Sequence, residues 1–350
     1  MTDSIEDKVA SGASWEEFCD SLKILGQQIT RPDTPTDGFN RAEGFRYLTR
    51  LLRNGLESTI EGGNAEYPAL RSLGNMVKMG ADNPDNLYQG ASINGAYEYR
   101  ITGNRGSVFY LGFSSISGGY GTDGTMITDG FLDHTQLKTE ADGSFEIILS
   151  QQEQAGNWLP MTDKTRSINI RQTFLDRSTE RPAQLQIERI NIEGTPPPYS
   201  AEQLDRDLNR VSKYLHGTVN LFADWSNSFR PDINTLPPAD QAYCQSIGGD
   251  PNIFYFHSYW ELAADEALVI TAKRIPECQT WNFQLDNYWM ESLDYRYHNI
   301  TVNKHTANYE DDGSVTLYVT HNDPGVSNWI DTAGHLNGTM CLRWIGTDDH

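Results

Sequence analysis

The sequence predicts a mainly β protein of the α+β class, with two related antiparallel β-sandwich or jelly-roll-like units, an N-terminal helical segment and a linking helix. Three observations predict this class. Apolar residues recur at helical spacing near the N-terminus and again after residue 200, they alternate with polar residues in most of the remaining chain, and this alternating part contains one motif twice. The predicted segments are a helical segment at 1–92, a first β-unit at 93–195, a linking helix and loop at 196–253, and a second β-unit at 254–350.

Two amphipathic helices are predicted in the N-terminal segment. Ser14 and Glu17 form a capping-box pattern, and the Arg31-Pro32 pair ends the helix that follows. The apolar face of this helix consists of Phe18, Leu22, Leu25 and Ile29. A second helix follows Asp37 and stops at Gly62, and its apolar stripe consists of Phe45, Leu48, Leu52 and Leu56. Both stripes are expected to face a core.

Strand patterns begin near residue 93. Alternating residues at 97–102 and 108–111 flank the turn sequence GNRG, which predicts a β-hairpin. Further strands are predicted at 145–150, 167–174 and 184–192. A proline-rich break follows, and Ser200 with Gln203 forms a capping box for a long linking helix. The second β-region is expected from Phe254 to Ile345.

One motif occurs twice in the β-regions. Residues 142–149 (DGSFEIIL) match 312–319 (DGSVTLYV), and Asn157-Trp158 matches Asn328-Trp329. Each copy then reaches an arginine in an alternating strand, Arg171 or Arg343. Three anchors in the same order at nearly the same spacing indicate one supersecondary unit used twice. The two asparagines are expected to bond to turn backbone.

The residues at 281–289 (WNFQLDNYW), together with the second copy of the repeat, resemble the bacterial domain of unknown function 1214. The whole chain is similar to single-chain members of that family. Residues 157–160 (NWLP) also match the family's wording, whereas residues 328–331 (NWID) lack the proline. The resemblance implies a fold rich in β-sandwiches and supplies no catalytic residues by position.

The composition excludes some classes of partner. There are 27 Lys and Arg against 48 Asp and Glu, a formal charge of -21, and no stretch is a basic run, which argues against nucleic-acid binding. No apolar run approaches the ~20 residues of a membrane helix, and the acidic N-terminal sequence is unlike a secretory signal. The four scattered cysteines favour reduced thiols. We therefore expect a cytoplasmic protein without a cofactor, free of membrane partners, with oligomers possible.

Two short motifs suggest chemistry but lack the necessary context. Residues 119–124 (GYGTDG) spell a dinucleotide-binding pattern, yet no helical period follows, so we interpret them as a glycine loop that could cover a pocket. His321 and Asp323 match two ligands of an iron site, but the turn-rich surroundings favour a surface loop, and no metal site is predicted. The common nucleophile-elbow and phosphate-loop patterns are absent from the sequence.

Two clusters of aromatic and polar residues, at 254–261 and 281–291, form the predicted site. The predicted catalytic residues are a carboxylate acting as general base or acid and a proton partner, namely Glu261 or Asp286 with His257 or Tyr259. The predicted substrate-binding aromatics are Trp260, Trp281, Tyr288 and Trp289. Alternatively, these rings fill a sandwich core with their polar tips at its edge.

Arg171 and Arg343 are the remaining predicted binding residues. Their guanidinium groups could bind a substrate carboxylate or sulfate, or could pair with Asp142 and Asp312 of their own units. Their recurrence in both copies favours the structural role.

The functional hypothesis is a cofactor-independent lyase, isomerase or hydrolase that uses carboxylate acid/base chemistry on a carbohydrate or a hydrophobic isoprenoid-like molecule. The alternative is a noncatalytic β-sandwich protein that binds a small molecule or another partner.

Overall fold

The computed structural model describes residues 4–73 and 77–347. The helices within these residues lie before the first β-unit and between the two units. They are α1 (Ile5–Ala10), α2 (Ala13–Ile29), α3 (Gly38–Leu56), α4 (Ala201–Ser228) and α5 (Gln241–Ser246). A π-helical turn at Glu57–Glu61 extends α3. The capping box predicted for the linking helix is confirmed, because Ser200 and Gln203 bond reciprocally at the start of α4.

The first β-unit consists of two facing sheets. Its strands are β1 (Arg71–Ser72), β2 (Asn86–Ser92), β3 (Tyr99–Asn104), β4 (Tyr110–Gly119), β5 (Thr125–Asp133), β6 (Ser144–Ser150), β7 (Trp158–Pro160), β8 (Thr165–Thr173) and β9 (Gln184–Arg189). One sheet has the order β1-β2-β8-β4-β5, and the other has the order β7-β6-β3-β9. The segment predicted as helical, 1–92, therefore also contains β1 and β2.

The second β-unit repeats this arrangement. Its strands are β10 (Ile253–Glu261), β11 (Leu268–Ala272), β12 (Thr280–Leu285), β13 (Thr301–Asn303), β14 (Val315–Thr320), β15 (Trp329–Asp331) and β16 (Asn337–Ile345). The order β10-β16-β12-β13 corresponds to β2-β8-β4-β5, and β11-β14-β15 corresponds to β3-β6-β7. The pairings are antiparallel except for β6 with β7 and β14 with β15, which are parallel in both units. The mainly β, mixed α+β class and the internal repeat are confirmed.

The repeated motif builds the same turns in both units. The Asp142 carboxylate accepts from the Ser144 backbone N–H at 2.9 Å, and Asp312 accepts from Ser314 at 3.0 Å. The glycine between each pair has a φ of 82°, in the left-handed region that favours glycine. Asn157 and Asn328 each bond to backbone groups of two neighbouring segments, as expected from the sequence.

Three apolar cores stabilise the fold. One lies between the two sheets of each β-unit. The third joins the apolar faces of α2, α3 and α4 to side chains from both units, so the helices connect the two sandwiches. The predicted stripe of α2 faces this third core, with Phe18, Leu25 and Ile29 buried.

Two helical predictions are wrong in detail. Ser14 does not cap α2, because the helix begins at Ala13 after Gly12, and the Ser14 hydroxyl donates to Asp205 of α4 at 2.7 Å. In the predicted stripe of α3, Leu48, Leu52 and Leu56 pack against the third core, whereas Phe45 is exposed. A Cβ on Gly44 would lie 2.6 Å from the Trp289 ring, so the glycine side of α3 packs closest to the core.

The predicted hairpin at 97–111 is also wrong. β3 pairs with β6 and β9 in one sheet, whereas β4 pairs with β8 and β5 in the other. The segment between them crosses from sheet to sheet, where the N–H groups of Ser107 and Val108 both donate to the carbonyl of Arg181. A local turn signal does not distinguish a hairpin from a crossover between facing sheets.

The glycine loop at 119–124 is the turn between β4 and β5, and it packs on α4. A Cβ on Gly121 would lie 2.6 Å from the backbone nitrogen of Tyr214, and a Cβ on Gly217 would lie 1.7 Å from the carbonyl oxygen of Tyr120. Glycine is required at this contact because two backbones meet there. The loop therefore anchors the first β-unit to α4.

Candidate functional site

The four predicted substrate-binding aromatics lie inside the cores. Trp260, Trp281, Tyr288 and Trp289 are each at most 1% exposed. Their polar atoms have internal partners: the indole N–H groups donate to Thr339, Tyr309 and Asn40, and the Tyr288 hydroxyl contacts Asn227. A ligand would reach these rings only if the core opened, so their role in binding stays a prediction.

The four predicted catalytic residues occupy three environments. Glu261 lines an open groove with Leu262, Leu336 and Asn337, and the Tyr259 hydroxyl donates to Asn337 at 2.9 Å. His257 is enclosed by aromatic rings, and burial lowers its pKa to about 3, so this imidazole is neutral at physiological pH.

Asp286 lies in a third place, fully buried at the end of β12. Its carboxyl accepts from the Gln284 side chain at 2.5 Å, and burial raises its pKa to about 8. The structure thus places Glu261 at the groove, connects the buried Tyr259 to it through Asn337, and places His257 and Asp286 elsewhere. The catalytic role of these four residues stays a prediction.

Arg171 and Arg343 do not pair with Asp142 and Asp312, so that predicted pairing is wrong. The two aspartates lie in exposed turns. Both arginines are buried in strands that have a neighbouring strand on each side, Arg171 in β8 and Arg343 in β16. Arg171 donates to the carbonyl of Gly248 and lies 3.6 Å from Asp250. Arg343 donates to Gln284 at 2.5 Å and to the carbonyl of Ala81. Each guanidinium contacts the loop preceding the other unit.

An open cleft of about 210 Å³ lies on the outer face of α3, and cations dominate its lining. The residues that line it are Arg46, Thr49, Arg50, Arg53, Lys78, Asp294 and Arg296. Five positive side chains at one cleft contrast with the net charge of -21 for the chain. We call this feature the cationic cleft.

α3 supplies three of these cations on one face. Arg46, Arg50 and Arg53 are spaced i, i+4 and i+7, which places them together on a helix. Arg46 and Arg53 form exposed ion pairs with Glu43 and Glu57, at 3.3 and 2.8 Å. Such pairs contribute little stability and leave the guanidinium groups accessible to solvent.

Arg50 has a different partner from its neighbours. Its Nη1 lies 2.6 Å from the carboxylate of Glu291, which is fully buried, and the Arg50 side chain is 14% exposed. The Asn287 side chain donates to the other Glu291 oxygen at 3.0 Å. Burial raises the Glu291 pKa to about 7.

Lys78 enters the cleft from the segment before β2. Its Nζ donates to the carbonyl oxygens of Ser292 and Leu293, at 2.5 and 2.8 Å, and lies 4.7 Å from the centre of the Tyr295 ring. The side chain is 5% exposed, and burial lowers its pKa. Its direct partners are therefore neutral dipoles, in contrast to the carboxylate partners of the arginines.

The loop behind the cleft has an unusual backbone. Met290 and Ala81 both have positive φ, 54° and 56°, although neither is glycine. The N–H of Ala81 donates to the carbonyl of Met290 at 2.7 Å, which fixes the two loops against each other. Positive φ at such residues costs free energy and is concentrated at functional sites. The segments that carry Lys78 and Glu291 are thereby hydrogen-bonded to each other.

Sequence reasoning missed the cleft. The spacing of Arg46, Arg50 and Arg53 was the available signal, because it places three cations on the polar face of a predicted helix. Lys78 and Arg296 join them from distant parts of the chain, which no local pattern indicates.

His321, which with Asp323 matches part of an iron-site motif, contacts oxygen atoms of the protein. Both ring nitrogens of His321 lie near oxygens, at 2.8 Å from the Thr332 hydroxyl and 3.0 Å from the Ala263 carbonyl. Across 4–73 and 77–347, no cluster of three or more His, Cys, Asp or Glu is placed to hold a metal ion. Nor does any helix in these ranges have the length and apolar character needed to cross a membrane. The cytoplasmic location stays a prediction.

Comparisons with known proteins identify a family and two similar solved structures. A family described as "Protein of unknown function (DUF1214)" matches residues 86–174 and 262–349, once in each β-unit. The crystal structure of an uncharacterised protein from Burkholderia cenocepacia is 53% identical, with a TM-score of 0.96 over 98% of this chain and 96% of that chain. The VPA0106 protein from Vibrio parahaemolyticus shares the fold at 11% identity, with a TM-score of 0.51 over 87% and 93% of the two chains. No curated protein matches. The chain belongs to the DUF1214 family.

Proposed function

We propose that this protein binds a small anionic molecule in the cationic cleft. The observation that carries the proposal is the convergence of five cations on one cleft in a chain whose net charge is -21. Because the overall charge repels anions, a local positive site has to be built by specific residues. Guanidinium groups suit carboxylate, sulfate and phosphate oxygens, which they bind through two parallel hydrogen bonds.

The size of the cleft supports a small ligand. Pockets for drug-sized molecules have volumes of ~300–1,000 Å³. A cleft of about 210 Å³ instead suits a ligand with few non-hydrogen atoms. The cations supply the polar contacts, so charge rather than apolar area would hold the ligand.

Lys78 is the residue on which the proposal depends most. The hydrogen bonds of this buried ammonium go to carbonyl oxygens, and Asp82, Glu291 and Asp294 act on its charge only from a longer distance. An anion in the cleft would add a direct charged partner. Arg46, Arg53 and Arg296 already have carboxylate partners and would add weaker contacts from the rim.

Calorimetric titration with sulfate, phosphate, malonate and citrate tests this proposal. We expect saturable binding of at least one anion and at least a tenfold loss of affinity, about 1.4 kcal/mol, in Lys78→Met. Lys304→Met is the matched control, because Lys304 also donates to two backbone carbonyls but lies outside the cleft. Equal affinity in the two variants, or no binding to the wild type, would reject the proposal.

Acid/base catalysis is a second candidate, and one observation favours it. Glu291 has a pKa raised to about 7 and lies behind Arg50, while Lys78, whose pKa is lowered by burial, lines the cleft, so one group suited to proton transfer lies at the cleft and another behind it. The lyase, isomerase or hydrolase hypothesis would then use Glu291 in place of Glu261 or Asp286. Mass spectrometry of each ligand after incubation distinguishes the candidates: a converted ligand supports catalysis, and an unchanged one supports binding alone.

A further inference from the structure

Arg50 is shared between the cationic cleft and a buried carboxylate. Its guanidinium lines the cleft on one side and bonds to Glu291 on the other, with Nη1 and Oε1 2.6 Å apart. Among the three arginines of α3 that line the cleft, Arg50 has the carboxylate partner that solvent does not reach, since Glu291 is 0% exposed. A ligand anion that binds Arg50 therefore acts on the charge of Glu291.

A buried carboxylate needs compensation. An ionised carboxylate without a full partner is strongly disfavoured in a protein interior, and the group takes up a proton instead. The Asn287 side chain donates one hydrogen bond to Glu291, which a protonated carboxyl can keep through its carbonyl oxygen. When an anion draws the charge of Arg50 toward the cleft, protonation is the available response of Glu291.

We propose that the ligand anion and the Glu291 carboxylate compete for Arg50, so that anion binding is accompanied by uptake of one proton at Glu291. The proton comes from solvent, and no bond other than O–H forms. This inference rests on the proposed anion binding and adds its regulation: the site binds tightly when the pH is low and releases its ligand as the pH rises.

The charged and titratable groups around Glu291 agree with this coupling. α3 presents Arg50 and Tyr47, and the segment before β2 presents Lys78 and Asp82. The two cations favour the ionised carboxylate, whereas Asp82 and burial favour the protonated form. Because these effects oppose each other, the pKa of Glu291 is about 7, and a modest change at Arg50 shifts its protonation near neutral pH.

Sulfate is the probe of choice, because its charge is constant from pH 6 to 8. Wild-type protein is titrated with sulfate by calorimetry across this range, in two cationic buffers of different ionisation enthalpy. The difference between buffers counts the protons taken up, without any variant. We expect uptake that approaches one proton above neutral pH, and an affinity that falls by up to tenfold for each further pH unit.

Glu291→Gln provides the second arm. The amide is neutral and frees Arg50, so we expect sulfate to bind with an affinity independent of pH and at least equal to that of the wild type at pH 6. Asp250→Asn is the matched control: it removes another fully buried carboxyl beside an arginine, 3.6 Å from Arg171 and outside the cleft, and it should keep the wild-type pH dependence.

The outcomes separate the two proposals. Sulfate binding without proton uptake by the wild type, or with the same pH dependence in Glu291→Gln, overturns the competition for Arg50 and leaves anion binding intact. Failure of the wild type to bind sulfate and the other anions at any of these pH values overturns the proposed function, and the coupling with it.

Discussion

Arg171 and Arg343 occupy equivalent positions in the two β-units, and each donates a hydrogen bond to the loop before the other unit's first repeated strand. Arg171 reaches the carbonyl of Gly248 before β10, and Arg343 reaches the carbonyl of Ala81 before β2. Arg171 pairs in register with Tyr88, as Arg343 does with Tyr255. The Tyr88 hydroxyl accepts from the Asn83 N–H and the Tyr255 hydroxyl from the Asp250 N–H. The duplicated motif thus joins the two units through reciprocal contacts.

Replacement of Arg343 by Met should destabilise the protein strongly. The change leaves the Gln284 oxygen and the Ala81 carbonyl without this donor, at about 1–3 kcal/mol for each buried group. We expect a loss of at least about 2 kcal/mol in the free energy of unfolding, measured by denaturant titration. Arg100→Met is the control, because the partners of Arg100 are the exposed Glu146 and Glu188, and it should cost under about 1 kcal/mol. Equal effects would show that the reciprocal contacts contribute no special stability.

The contact between the glycine loop and α4 gives a second prediction. A Cβ on Gly217 would lie 1.7 Å from the Tyr120 carbonyl oxygen, so Gly217→Ala has to move a backbone and should cost at least about 2 kcal/mol. Gly26→Ala in α2 is the matched control, because a Cβ on Gly26 would lie 3.8 Å from the Phe45 ring, an ordinary van der Waals distance. That variant should gain about 0.5–1 kcal/mol through helix propensity. Thermal melts of both variants measure the contrast, and a stable Gly217→Ala protein would contradict the close packing.

Because His257 is buried, we expect the folded protein to lose stability at acidic pH. Burial lowers its pKa to about 3, against an ordinary value of 6.5, so below pH 6.5 the unfolded chain binds a proton that the folded chain does not. This contribution to stability is present above pH 6.5 and is lost as the pH falls toward 3, by about 2 kcal/mol at pH 5. His257→Phe keeps a ring between Phe229 and Tyr255 and removes the titration.

The free energy of unfolding of the variant minus that of the wild type should therefore be larger at pH 5 than at pH 8. Urea titrations of both proteins at both pH values measure this difference. An unchanged difference between the two proteins at the two pH values would show that His257 is already charged in the folded state, or is exposed to solvent.

Much of the fold follows from local sequence. The bonding of Asn157 and Asn328 to turn backbone and the cap of α4 at Ser200 depend on local sequence, and the structure has them as predicted. The hairpin prediction failed because a crossover between facing sheets uses the same glycine-rich turn residues. Phe45 was wrongly assigned to the core-facing stripe of α3, because Gly44 allows Trp289 to pack against the helix and the hydrophobic pattern gives glycine no weight.

The site was less accessible to sequence reasoning. Aromatic residues amid polar ones occur both in pockets and in sandwich cores, and only burial distinguishes the two: Trp260 and Tyr288 are fully buried. Conversely, the cationic cleft depends on Arg296 meeting α3 and Lys78, although more than 200 positions separate Arg296 from both. Because these cations come together only in the folded structure, the sequence contains no local run of basic residues that would indicate the cleft.

Thermal stability in the presence of anions tests the central claim, binding in the cationic cleft, most directly. Wild type and Lys78→Met are melted with sulfate, phosphate or citrate, and with sodium chloride at equal ionic strength. A ligand at a hundred times its dissociation constant stabilises the folded state by about 2.7 kcal/mol. The account predicts that at least one of these anions raises the wild-type melting temperature beyond the chloride control, and that Lys78→Met loses this shift. An equal shift in both proteins, or none beyond chloride in the wild type, would contradict it.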